Sequence, residues 1–248
     1  MGTLLRPVHV ALGVFDGVHR GHQALLRQAV QNARRLQQAS AVCTFYPHPQ
    51  QILHPSRAPS LIYPLPQRRW LLHQFGCEIV WVQPFDATLA SQTPEEFLKK
   101  LRQIFPSLTA LYVGEDFHFG AHRCGDTATL QALCASHHGS LFVCPTLYEQ
   151  GEKISSTRIR QALRQQPISI ANHLFGQPYH CIGMDRGSFF SIHQECIVKD
   201  GTYACRLQNR RGSQLLNAQV SQGRIRFFKD RKTAPLPGAC RLFFEHDC

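Results

Sequence analysis

The stretch Leu12-Gly13-Val14-Phe15-Asp16-Gly17-Val18-His19-Arg20-Gly21-His22 joins an apolar run, Val8–Phe15, to a segment, Gly21–Gln38, with helical periodicity. In the second segment Leu25, Ala29, Ala33 and Leu36 are spaced to share one helix face. A strand, a glycine-rich turn and a helix in that order open an α/β sheet, and ligands of such sheets bind outside the carboxyl ends of the strands. The glycines are spaced G-x₃-G-x₃-G, which is neither the dinucleotide fingerprint G-x-G-x-x-G nor a G-x₄-G-K-[ST] phosphate loop. They let the backbone approach a ligand closely. His19 and His22, three apart at a helix start, share a side and would meet phosphate oxygens beside free N–H groups. The same two residues would equally serve to cap or pack the turn.

Beyond this stretch, strand-like runs recur at Ala41–Tyr46, Glu78–Gln83, Ala110–Gly114 and Leu141–Pro145. Helical segments lie between them. Pro66–Phe75 ends at Gly76, Thr93-Pro94-Glu95-Glu96 opens a helix to about Phe105, and Gly125-Asp126 caps one to about His138. Five strands alternating with helices predict a Rossmann-like parallel sheet over residues 1–175. After Phe175 the texture changes to closely spaced strands: Tyr179–Met184, Phe189–Val198, Thr202–Leu207, Gln214–Val220, Arg224–Phe228 and Arg241–Phe244. Turn signals separate them, so residues 176–248 predict a small antiparallel β domain.

Composition sets the outer limits. Of 248 residues 43% are apolar and 17% charged, which suits a globular chain with a sizeable core. No run approaches 18 apolar residues and the N-terminus lacks a signal-peptide pattern, so a cytoplasmic protein without a membrane span is expected. The ten cysteines include no C-x-x-C pair and mostly interrupt apolar runs, as reduced structural thiols do. The net charge of +11 suits anionic partners such as nucleotides, or simply a basic surface.

Four segments in order resemble prokaryotic FAD synthetases of the nucleotidyltransferase superfamily. Gly13–His22 resembles their H-x-G-H turn, and Thr44-Phe45-Tyr46-Pro47-His48-Pro49 their T-F-x-P-H-P box. Gly114-Glu115-Asp116-Phe117-His118-Phe119-Gly120 is similar to G-x-D-F-x-F-G, and Ile154-Ser155-Ser156-Thr157-Arg158-Ile159-Arg160 to I-S-S-T-x-I-R. The resemblance covers roughly residues 7–180. It implies FMN adenylyltransferase activity: the phosphate of FMN attacks the α-phosphorus of ATP, giving FAD and pyrophosphate with Mg²⁺ as cofactor. It further implies His19 and His22 as catalytic residues, with Gly13, Phe15, Asp16, Gly21, Ser155, Ser156, Thr157 and Arg158 at ATP. Pro47, His48, Asp116, Phe117 and Phe119 would seat the flavin, Asp116 standing near the phosphate or Mg²⁺.

The residues also have plainer readings. Ser155 would serve as an N-cap, although Arg158 and Arg160 place cations where a helix start normally prefers acids, an inversion that a docked polyphosphate explains. Phe117 and Phe119 would pack a core, and Asp126 would cap a helix. His118 stands where the family usually has Arg. His118, His122 and Cys124 lack a fourth ligand at zinc spacing.

The family commonly carries a riboflavin kinase barrel. Leu174–Tyr179 resembles its start, but no G-R-x-L-G-F-P-T-A-N element follows. The expectation is therefore a degenerate kinase remnant without kinase activity, a separate riboflavin kinase as the source of FMN, and no nucleic-acid partner. Two alternatives stay open: a related nucleotidyltransferase with another phosphate acceptor, and a non-catalytic flavin- or nucleotide-binding protein with a basic tail.

Overall fold

The computed structural model describes residues 6–192, 196–228, 234–236 and 238–248. The chain separates into two compact units: residues up to Leu61 with Arg68–Tyr148, and Ile62–Gln67 with Glu149–Cys248.

In the first unit, in chain order, come β1 (Val8–Leu12), α1 (Arg20–Arg35), β2 (Ala39–Tyr46), α2 (Pro49–Leu53), α3 (Leu65–Gln74, which starts in the second unit's segment), β3 (Ile79–Pro84), α4 (Ala87–Ala90), α5 (Pro94–Ile104), β4 (Leu108–Gly114), α6 (Thr127–Ser136) and β5 (Ser140–Cys144). The five strands form one sheet in the order β3-β2-β1-β4-β5, every pair parallel. The predicted Rossmann-like sheet is present. Every residue of β1 is buried, as expected of a central strand covered on both faces. Val10, Leu12, Ala41, Cys43, Leu111 and Val113 form a core with Leu98 and Leu101 of α5, with its C-cap Phe105, and with Leu130 and Cys134 of α6. Leu25, Leu26, Ala29, Val30 and Ala33 are the buried apolar side chains of α1.

Helix α1 stops short of the predicted Gln38. Gln37 turns to φ 54° and the Ala39 amide donates to the Pro7 carbonyl, starting β2. Leu36, predicted on the apolar face, is therefore a cap residue and 52% exposed. Gly76, at φ 89°, ends α3 by donating to the His73 carbonyl, as its sequence position predicts.

The second unit contains most of a hairpin, β6 (Tyr148–Glu149) and β7 (Glu152–Lys153), then α7 (Ser156–Gln165) and α8 (Ile168–Phe175). Six strands follow: β8 (His180–Asp185), β9 (Phe189–Ile192), β10 (Gly201–Asn209), β11 (Gly212–Ser221), β12 (Arg224–Phe227) and β13 (Ala239–Asp247). They close into an antiparallel barrel in the order β10-β11-β12-β9-β8-β13. Alternation fills it: Tyr203, Cys205 and Leu207 of β10 and Cys240, Leu242 and Phe244 of β13 are buried while their neighbours are half-exposed or exposed. A β-carbon on Gly183 would lie 2.2 Å from the Ser191 carbonyl oxygen, so glycine is needed where β8 crosses β9.

The strand predicted over 189–198 ends at Ile192. Residues 193–195 lie outside the described residues, and Cys196–Val198 are buried coil, with the Cys196 amide donating to the Gly223 carbonyl. All ten cysteines are free thiols, eight of them buried. Among the described residues no helix is long and apolar enough to cross a membrane.

Candidate active site

The strand order reverses between β1 and β4, which makes a crevice at their carboxyl ends the place where ligands of such sheets bind. The first turn leaves β1 there. Three of its residues take left-handed backbone: Phe15 at φ 54°, Gly17 at 87° and Val18 at 43°. Only glycine adopts that conformation freely, so Phe15 and Val18 hold strain that their surroundings must enforce. The Val18 amide donates to the Phe15 carbonyl to close the turn, and Gln23 Nε2 donates to the Val18 carbonyl at 2.9 Å.

The turn delivers His19 to the N-cap of α1. Its Nδ1 accepts from the His22 amide at 3.4 Å. A neutral ring whose Nδ1 accepts carries its proton on Nε2, a hydrogen-bond donor. The His19 and His22 rings stack, centroids 3.7 Å apart and 18° from parallel, and Phe15 meets His22 edge-on at 5.2 Å. Phe15 itself is buried at 1% exposure, its ring 3.1 Å from where a β-carbon on Gly13 would stand. Phe15 thus shapes the turn with its side chain, and Gly13 makes room for it. Asp16 is buried in the same turn, and Gly21 lies in the first turn of α1. No acid occupies that first turn, where helices usually favour one.

From the neighbouring strand, Thr44 Oγ1 donates to the Val14 carbonyl at 2.8 Å. Arg68, on α3, donates from Nη1 to that same carbonyl at 2.9 Å and from Nη2 to the Phe45 carbonyl at 3.0 Å. It is among the largest fully buried side chains. Burial pulls its pKa down, while the Asp16 carboxylate pulls it back up. The sequence reading missed Arg68. Its signal is its helical phase, three and four residues before the buried Leu71 and Leu72, a place where an exposed arginine does not belong.

At the end of β2, Pro47 leads into His48, which caps α2. The Gln50 amide donates to His48 Nδ1 at 3.2 Å, and Gln51 Oε1 accepts from the His48 amide at 3.0 Å. At the end of β4, Asp116 is exposed and Phe117 half-buried, stacked on Phe119 at 5.6 Å. Phe119 belongs to the core, bridged to Gly125 and against Phe97 at 5.5 Å. Asp126 caps α6 through the Thr129 amide, which holds its carboxyl below the usual carboxylate range. Among the described residues no cluster of three His, Cys, Asp or Glu side chains could hold a metal ion by itself.

The remaining predicted ATP residues lie in the second unit. Ser155 caps α7, its Oγ accepting from the Arg158 amide at 3.2 Å, and Ser156 and Thr157 occupy the first turn. Arg158 folds back on the β6–β7 hairpin: Nη1 donates to the carbonyls of Glu149 and Glu152, and Nε meets the Glu152 carboxylate at 3.0 Å.

The family model described as FAD synthetase matches residues 3–158. The bifunctional riboflavin kinase/FMN adenylyltransferase of Bacillus subtilis (strain 168) is 36% identical over 176 residues, 71% of this chain and 55% of that protein. The protein of the same name from Haemophilus influenzae is 28% identical over 233 residues, 89% of this chain and 75% of that one. The chain thus spans little more than half the length of its Bacillus relative. A crystal structure described as a macrolide-efflux protein from Streptococcus pneumoniae covers 100% of this chain and 88% of its own, at TM-score 0.82 and 24% identity, a likeness of fold alone.

Proposed function

Because the chain belongs to the FAD synthetase family, we propose that it is an FMN adenylyltransferase, joining AMP from ATP to FMN. An oxygen of the FMN phosphate attacks the α-phosphorus of ATP, a new P–O bond forms, the bond from the α-phosphorus to the bridging oxygen breaks, and pyrophosphate leaves. The substrate supplies the nucleophile, so the protein contributes alignment and charge stabilisation. The observation that carries this reading is the stacked His19–His22 pair at the start of α1, in a crevice of the kind where α/β sheets take nucleotides. Nε2–H of His19 would donate to α-phosphate oxygens as negative charge accumulates on them, alongside His22 and the positive end of the α1 helix dipole.

The half-buried Phe117 and the Pro47–His48 turn suit the flat flavin, while Phe119 supports Phe117 from the core. Ser155, Ser156 and Thr157 would hold the leaving pyrophosphate, and Arg158 would add its charge while it braces the hairpin. An exposed carboxylate fits Mg²⁺, which takes one or two carboxylates and completes its shell with water and substrate phosphates. Asp116 would hold that ion, and its charge would offset the phosphates. A cytoplasmic setting, and FMN made by a separate riboflavin kinase, complete the reading.

Purified protein incubated with ATP, Mg²⁺ and either FMN or riboflavin, followed by chromatography of the flavins, tests it. FAD is expected from FMN, and riboflavin should remain unchanged. His22→Ala should lower turnover by at least about 100-fold, in the range of losing one transition-state donor. Near-normal turnover in that variant would remove His22 from the mechanism, and FMN made from riboflavin would overturn the absence of kinase activity.

A further inference from the structure

Arg68 sits where a hydrophobic side chain would pack at less cost. It is 1% exposed, and a buried guanidinium is unfavourable unless its charge and donors are matched. Its two terminal nitrogens are matched, by backbone at two different places, while the buried Nε has no hydrogen-bond partner among the described residues. Val14 opens the strained turn that ends in His19, and Phe45 lies near the end of β2. A planar fork spans two carbonyls at 2.9 and 3.0 Å; an ammonium is a point donor and does not. Thr44 adds a third donor to the clamp at Val14, and Gln23 fixes the other end at Val18. Between these anchors lie three left-handed residues, two of them not glycine, which persist only where the surroundings over-determine them. The buried Asp16 carboxylate in the same turn supplies the opposing charge.

We propose that Arg68 is a positioning residue for adenylyl transfer, locking the first turn to the end of β2 so that His19 and His22 keep their stacked geometry. The proposal rests on the FMN adenylyltransferase reading for its consequence in turnover, and on the turn alone for its consequence in geometry. Arg68 acts through the Val14 carbonyl, and so through the backbone of the turn.

The test compares Arg68→Lys and Arg68→Met with Leu71→Ala, which removes a buried side chain from the same helix without touching the clamp. Two readouts are taken: steady-state FAD formation, and NMR spectra of ¹⁵N-labelled imidazoles with His19 and His22 assigned by substitution. Arg68→Lys should lower kcat on the order of 10- to 100-fold while KM for ATP and FMN stays within about threefold, as expected when orientation is lost and ground-state binding is kept. The His19 and His22 signals should move in Arg68→Lys and stay in place in Leu71→Ala. Wild-type kcat with unmoved imidazole signals in Arg68→Lys would overturn the proposal. So would an equal loss of kcat in Leu71→Ala at equal melting temperature. Should Arg68→Met not fold, the other two variants still decide. Should the wild type form no FAD, the adenylyl-transfer reading fails, and moved imidazole signals in Arg68→Lys would still uphold the clamp.

Discussion

His19 accepts the His22 amide through Nδ1 and so leaves its proton on Nε2; replacing it removes a helix cap together with the donor proposed for phosphate. Asparagine separates the two, since it ranks among the best N-caps and has no imidazole. His19→Asn should melt within about 1 °C of the wild type, inside the roughly 2–4 °C that losing about 1 kcal/mol of cap would cost a chain of this size, yet form FAD at least about 100-fold more slowly. Differential scanning fluorimetry and a flavin assay check the pair of outcomes. Wild-type turnover in His19→Asn would confine His19 to capping. The histidine pair was legible because its chemistry is local, three residues apart at a helix start. Asp126 was legible for the same reason. Arg68 was not, because its carbonyl partners lie 54 and 23 residues away in sequence and a side chain's partner across such a distance leaves no local pattern. Arg158 shows the converse: its charge was visible, but not its commitment to the Glu149 and Glu152 carbonyls.

Elements with a full period announced themselves. The five parallel strands, the helices α1, α3, α5 and α6, and the barrel strands fall where apolar runs or alternation place them, with ends shifted by a few residues except at β9, which stops at Ile192 where the predicted run goes on to Val198. The short helices α2 and α4 and the β6–β7 hairpin hold five residues or fewer apiece, too few to display a repeat, and their caps His48 and Asp86 identify them only after the fact. Helix α7 shows how one residue serves an element. Ser155 accepts the Arg158 amide at its start, so Ser155→Ala should cost about 1 kcal/mol of stability in chemical denaturation, and Ser155→Asn should restore most of it. If Ser155 serves only the helix, KM for ATP follows neither change. A KM raised in both variants would give its hydroxyl a place at the nucleotide.

For the molecule, acidity is the condition that tests the second unit most directly. His180 is 2% exposed, between the rings of Tyr63 at 5.5 Å and Phe243 at 4.8 Å. Burial pulls its pKa down to about 4, and the charges of Arg241 and Arg206 act in the same direction. The folded state therefore holds His180 neutral where an unfolded chain, with the ordinary value of 6.5, would protonate it. Stability is complete above pH 6.5 and falls as pH drops toward 4, by on the order of 3 kcal/mol for this group. Denaturation curves of the wild type across that window should show the fall, and His180→Phe should flatten it; an unchanged slope in that variant would assign the acid sensitivity elsewhere. The parallel sheet ends in two open strands, β3 and β5, whose outer backbone groups must be shielded from other chains. The six strands of the barrel form a ring and present no such edge. Side-chain substitutions within that ring leave its backbone pairing intact, so this part of the chain can drift in sequence with little risk of templating aggregation.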